Sequence, residues 1–279
     1  MKRTNLLIFI LLILIIALGL AIYLRNSPIP EETVEIQQPA QPQEPVKKPI
    51  VHYPVSEPVA TQESTESAAA EPVKPLEPVL PERLPAVQDS DQSIQEALAS
   101  LFNGKNFYEL LYLENFIQRF VTTIDNLTEK RLPRAHLPVR PPGGQFIVSG
   151  TAEEPQTSSR NHSRYTPYLT MLETVDQDLA MKVYRFFYPL FQSAYEQLGY
   201  KNVYFNDRLV FVIDHLLQTP NPPEPILLAQ PVVLYTYADQ ALENRSAGQK
   251  LLLRIGQEQR LRVFKILNQY RQRLTTLEP

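Results

Sequence analysis

Catalysis needs titratable or nucleophilic side chains held close together, and this chain offers few candidates. Asp207 and Asp214 are the best-spaced carboxylates, seven residues apart in a segment of helical periodicity. On a helix they stand two turns apart, ~10 Å by rise, room for a water between an acid and a base as in an inverting glycosidase. The neighbouring Asn206 and Arg208 offer a simpler reading, a helix cap and a solvated charged face. Glu153 and Glu154 adjoin in a stretch rich in turn formers. His52, His136, His162 and His215 are scattered, and no HxxxH or HExxH occurs, so no zinc site is expected. The chain has no cysteine, which excludes disulfides, thiolate metal sites, a cysteine nucleophile and a lipidated cysteine. It has neither GxxxxGK[ST] nor GxGxxG, so the common phosphate-cradling loops are missing. No enzyme activity and no cofactor is expected.

Recognition is better represented. On a helical wheel, Leu209, Val210, Val212, Ile213, Leu216 and Leu217 fill one arc. Asp207, Arg208, Asp214 and His215 fill the other, with Phe211 in its middle. That pattern fits a partner-docking patch with Phe211 as anchor and the charges as rim. The alternative is that the basic C-terminal helix or the 133–162 loop of the same domain covers it. Tyr184, Phe186, Phe187, Tyr188, Phe191, Tyr195, Tyr200, Tyr204 and Phe205 could stack on sugars, but a stripe at helical spacing reads first as core. Residues 245–279 carry eight basic side chains against Glu258 and Glu278. The basic region 245–273 suits anionic lipid, an acidic partner or the protein's own acidic linker, or else forms a solvated face.

The elements that must position these residues begin near Ser90. Ser93 and Glu96 fit a capping box opening a helix that buries Ala97, Leu98 and Leu101. Phe116, Ile117, Phe120, Val121, Ile124 and Leu127 mark one face of the next helix. Residues 133–162 form an irregular loop with a short strand at 145–149. A helix follows over 165–174, with Pro167 in its first turn. Asp176 caps a helix over 177–198 whose apolar arc runs from Ala180 to Leu198; Pro189 kinks it and Gly199 ends it. Asn206 caps a helix over 207–218. The run ILLAQPVVLYTY at 226–237 is β-rich but broken by Pro231. Ser246 and Gln249 form a capping box opening a helical region from 247 to about 275, broken near Gly256. About 190 residues suffice for one core without metals or disulfides.

The N-terminal part is organised differently. Leu6 to Leu24 is nineteen residues without a charge, ~28 Å as a helix, close to the ~30 Å hydrocarbon core of a bilayer. Lys2 and Arg3 precede it while Glu31, Glu32 and Glu35 follow, so the N-terminus is expected inside and the rest outside the membrane. Small residues near Ala17 to Ala21 also suit signal-peptide cleavage; the run continuing to Leu24 favours an uncleaved anchor. Residues 26–89 hold thirteen prolines, eleven acids and four bases. They read as a disordered linker that cannot bury enough apolar surface to offset chain entropy.

Four segments together carry a resemblance: FIQRFVTTIDNL (116–127), YRFFYPLFQSAYEQLGYKNVYFNDRLVFVIDHLL (184–217), PVVLYTYAD (231–239) and SAGQKLLLRIG (246–256). Over about 91–275 the chain resembles the bacterial envelope family called domain of unknown function 3014. The resemblance implies the same layout of anchor, Pro-rich linker and helical domain, and assigns no residue a catalytic role. The expected architecture is therefore mainly α: an anchor over 1–25, a linker over 26–89, and one helical domain over 90–279 with one or two short strands. The expected protein is a single-pass inner-membrane protein presenting a periplasmic interaction or scaffold module to another envelope protein. The alternative is a cell-wall glycan binder or envelope hydrolase. The location leaves no role for nucleic acid.

Overall fold

The computed structural model describes residues 52–55, 77–102 and 108–276. The expected membrane segment 6–24 and most of the expected linker lie outside the described residues. Among the described residues, no helix is long and apolar enough to cross a membrane. They form eight α-helices and two short antiparallel strand pairs, matching the expected mainly α class.

Helix α1 (Asp91–Leu101) buries Ile94, Ala97, Leu98 and Leu101, the i, i+3, i+4, i+7 stripe of an amphipathic helix. It starts before the expected Ser93 box. Ser90 instead donates its hydroxyl to the Val87 carbonyl at 2.8 Å. Asp91 serves the next helix, α2 (Phe116–Asn126), accepting the N–H groups of Asn115 and Phe116 at 2.7 and 3.1 Å. A carboxylate there satisfies donors that a helix start leaves unpaired. All six residues expected on the inner face of α2 are buried.

Within the 133–162 loop, β1 (Val148–Gly150) pairs antiparallel with β2 (Pro155–Thr157), Val148 opposite Thr157. A 3₁₀ turn over Ser159–Tyr165 leads into α3 (Thr166–Glu173). Helix α4 (Gln177–Gln197) is capped by Asp176, whose carboxylate accepts from the N–H groups of Asp178 and Leu179. It ends at Gly199, whose φ of 100° suits glycine. Its apolar arc is buried through Ala194, but Leu198 is exposed, because the helix ends before that residue can turn inward.

Helix α5 (Phe205–Leu217) is central: it packs on α2, α4, α7 (Ala247–Arg254) and α8 (Gln257–Thr275). This overturns the expected role of Asn206. Tyr204 is the residue before the helix, and Asn206 is fully buried inside its first turn. With neighbours on most sides, even polar positions of α5 face protein.

Strands β3 (Leu228–Ala229) and β4 (Thr236–Tyr237) form a second hairpin that leans on the first: Thr157 N–H donates to the Ile226 carbonyl at 2.9 Å. Ile226, Leu228, Tyr237 and Leu253 make a small satellite core with Leu242 from the short α6 (Gln240–Glu243). Ser246 caps α7 as expected, accepting from Gln249 N–H, but Gln249 sends its amide to the His215 carbonyl instead of back to the cap. The break at Gly256 is present, at φ 90° and ψ 160°.

The expected domain boundary at residue 90 moves toward the N-terminus. Val87 is buried and Leu80 packs against the main core, although both fall inside the predicted linker. Residues 52–55 are also seated on the domain. A few apolar and aromatic side chains suffice to hold a Pro-rich stretch where a receiving surface exists.

Candidate functional site

The five residues of the predicted patch lie on α5, and the structure sends them in separate directions. Asp207 and Arg208 are buried at the first turn. The Asp207 carboxylate meets His52 Nδ1 at 3.0 Å and the Tyr53 N–H at 2.7 Å. Arg208 runs toward the end of α2, with Nε 2.9 Å from Asp125 Oδ1 and Nη2 donating to Thr128 Oγ1 at 3.0 Å. Asp214 pairs with Arg271 on α8, which donates through Nε and Nη2. That pairing raises the Arg271 pKa, and Tyr53 lies close enough to add to the rise. His215 Nε2 lies 2.8 Å from Ser246 Oγ at the cap of α7. Burial lowers the His215 pKa first, then the charges of Arg208 and Arg245.

Phe211 is 39% exposed, with the Arg208 guanidinium 5.3 Å from its ring centroid. Arg208 and Phe211 thus share one spot, while Asp207, Asp214 and His215 join α5 to the seated segment 52–55, here called the strap, to α8 and to α7. The basic C-terminal helix covers one flank of this surface through Arg271, and the phenylalanine remains open.

Asp207 is hydrogen-bonded to residues 52 and 53 while Asp214 pairs with Arg271, so the two carboxylates serve different elements and do not stand as an acid and base sharing a water. Glu153 and Glu154 are exposed at the β1–β2 turn. The four histidines stand on separate elements, and no three metal-ligating side chains come together among the described residues. The aromatics of α4 and α5 form core: Phe191 stands 4.9 Å from Phe120 and 5.8 Å from Phe205 by ring centroid. Tyr204 is the exposed one, and it stacks under His52.

The basic stretch is largely turned onto the domain. Lys250 pairs with Glu243 at 2.8 Å and Arg262 Nε with Glu173 at 2.7 Å. Arg273 reaches Gln177 and Asp178, and Arg260 is fully buried, donating to the Leu252 carbonyl and to Asn221.

Two features escape the sequence reading. One is the seat of residues 52–55 at the N-terminal end of α5. Its only signal is that Tyr53 stands as an isolated aromatic in the linker. The other is a cavity of about 270 Å³ beside the β3–β4 hairpin, lined by Gln145, Phe146, Leu228, Gln230, Tyr235 and Arg254 among others. Arg254 also hydrogen-bonds Tyr237, whose hydroxyl burial pushes up to about 12. The loop at its rim leaves Val232 81% exposed, with Val233 and Leu227 also open. The broken pattern around Pro231 marked that loop as irregular without showing that it projects.

A family described as "Protein of unknown function (DUF3014)" matches residues 116–271, from the start of α2 into α8. No curated protein and no solved structure matches the chain.

Proposed function

The chain belongs to this family, and from its own residues we propose that it is a single-pass inner-membrane protein whose helical domain acts in the periplasm as an interaction module for another envelope protein. The projecting hairpin loop carries the reading. Val232 and Val233 on that loop, with Leu227 just before β3, place apolar surface in water, Val233 at the wall of a concave cavity, and large apolar side chains so exposed mark a contact site. Asp207, Arg208 and Asp214 of α5 and Arg260, Arg262, Arg271 and Arg273 of α8, by contrast, are engaged within the domain. The N-terminal apolar run and its flanking charges support the anchor and its orientation.

The test places a photo-crosslinking residue at Val232 in intact cells. One discrete crosslinked envelope protein is expected, absent when the crosslinker sits at exposed Lys182 on α4. No product at Val232, or the same products from both sites, refutes the module. A reporter active only in the periplasm, fused after Pro279, is expected to be active. An inactive fusion refutes the topology.

A second reading has one observation in its favour: Tyr235, Gln145 and Gln230 give the cavity the mixture of ring and amide that suits a sugar. Co-sedimentation with isolated cell-wall sacculi, lost in Tyr235→Ala, would select glycan binding over protein binding.

A further inference from the structure

We propose that the N-terminal end of α5 is a receptor for an extended peptide, that residues 52–55 are its built-in ligand, and that a peptide of the same chemistry supplied from outside displaces them.

Two adjacent buried side chains read one residue of the strap from both sides. Asp207 Oδ1 accepts the Tyr53 N–H at 2.7 Å, and Asn206 Nδ2 donates to the Tyr53 carbonyl at 2.9 Å. Asn206 is held for the task. Its Oδ1 accepts the Tyr184 hydroxyl at 2.9 Å, and its Nδ2 also reaches the Leu274 carbonyl at 3.3 Å. The second Asp207 oxygen lies 3.0 Å from His52 Nδ1, and the His52 ring stacks on Tyr204 at 4.0 Å between centroids. Tyr53 and Val55 pack against the edge of the main core while Pro54 faces water, the alternation of an extended strand.

This arrangement recognises a backbone and a ring rather than a fold. Main-chain donor and acceptor are both satisfied, one face of the strand is apolar, and a carboxylate waits for a histidine or another donor. The partner that fits is an extended segment with an aromatic residue following a histidine or a cation.

The strap is a ligand and not part of the frame for a reason of chain geometry. Twenty-one residues separate Val55 from Glu77, so sequence proximity does not force the contact. A linker of that length gives a tethered ligand an effective concentration of order millimolar. An outside peptide of similar intrinsic affinity must therefore reach millimolar levels, and a better-fitting one competes below that.

The experiment uses the full chain, in detergent, with Val55→Cys, on the apolar face of the strap, as its single cysteine carrying an environment-sensitive dye. A synthetic peptide of residues 49–57 is titrated in. The expected result is a saturable shift of the dye to its aqueous signal with a midpoint of order millimolar, and no shift with a peptide carrying Ala at positions 52 and 53. His52→Ala, made in the chain and not in the added peptide, weakens the strap alone, leaves the receptor intact, and is expected to lower the midpoint about three- to tenfold. Asp207→Ala is expected to give the aqueous signal before any peptide is added. A dye signal unchanged by ~10 mM peptide, or equally changed by the Ala peptide, overturns the proposal. So does a His52→Ala protein with an unaltered midpoint. A dye signal that depends on protein concentration would show the strap to come from a second copy, and overturns the built-in assignment.

Discussion

Replacing Gly256 by alanine tests the junction between α7 and α8. Its φ of 90° and ψ of 160° lie in a region almost confined to glycine, and holding another residue there costs ~1–3 kcal/mol. A Cβ at this position would stand 2.4 to 2.6 Å from three atoms of the His162 ring. That ring is mostly buried and faces Glu224 at 3.9 Å, so moving it aside costs ~1–3 kcal/mol more. Alanine also narrows the unfolded ensemble, returning ~0.4–1 kcal/mol. The net expectation is a loss of ~1–5 kcal/mol, a fall in Tm of ~3–15 °C for a domain of this size. Urea unfolding followed by far-ultraviolet circular dichroism measures it, with an unchanged slope showing that stability and not compactness has altered. The double-mutant cycle with His162→Ala separates the two costs, since removing the ring relieves the clash and leaves the backbone strain. Recovery of ~1–3 kcal/mol in the double variant is expected. A Gly256→Ala protein within ~0.5 kcal/mol of the parent, or a cycle with no coupling, would refute the reasoning.

Other sites give further expectations. Phe211→Ala should cost ~1–2 kcal/mol, combining partial burial with a lost cation–π contact to Arg208, whereas fully buried Phe120→Ala should cost ~3–5 kcal/mol; thermal melts of the two distinguish an open site from core. Arg260→Ala should lose ~3–5 kcal/mol, because it empties a buried site and strands Asn221 and the Leu252 carbonyl, while Arg260→Met should recover part of that by refilling the volume. The folded state depresses the His215 pKa, so its neutral form is favoured and stability is full above the imidazole's ordinary 6.5. Stability should then fall as pH drops below that value toward the folded pKa. His215→Gln should flatten the fall, read from urea midpoints between pH 7 and 5.

Legibility in the sequence followed the range of the interactions. Asp176, Gly199 and Ser246 act on their own helix within three residues, and each was readable from residue type and position. Asp91 and Asn206 carry the same chemistry but spend it at a distance, on the start of α2 and on the strap. A capping residue type says that a backbone group will be satisfied without saying whose. The residues of the expected patch all lie on α5, but the partners of four of them, Asp125, Arg271, Ser246 and His52, come from four distant stretches of chain. Which side chains end in an ion pair depends on the packing of α2, α7 and α8 around α5, and a helical wheel contains no neighbours. The strap was hardest to see, because composition averages over a linker and a single aromatic hardly moves the average.

The seated strap also acts as a mechanical stop. If residues 6–24 lie in a bilayer, as proposed, 27 residues separate Leu24 from His52, whereas 52 separate Leu24 from Glu77. Counted in residues, the leash is thus about half as long with the strap seated as with it released. The volume that a tethered body can search grows steeply with its leash, so on the proposed topology four residues at the N-terminal end of α5 would set how far from the membrane the domain can look for a partner. A peptide that unseats them would nearly double that radius without altering the fold of the domain.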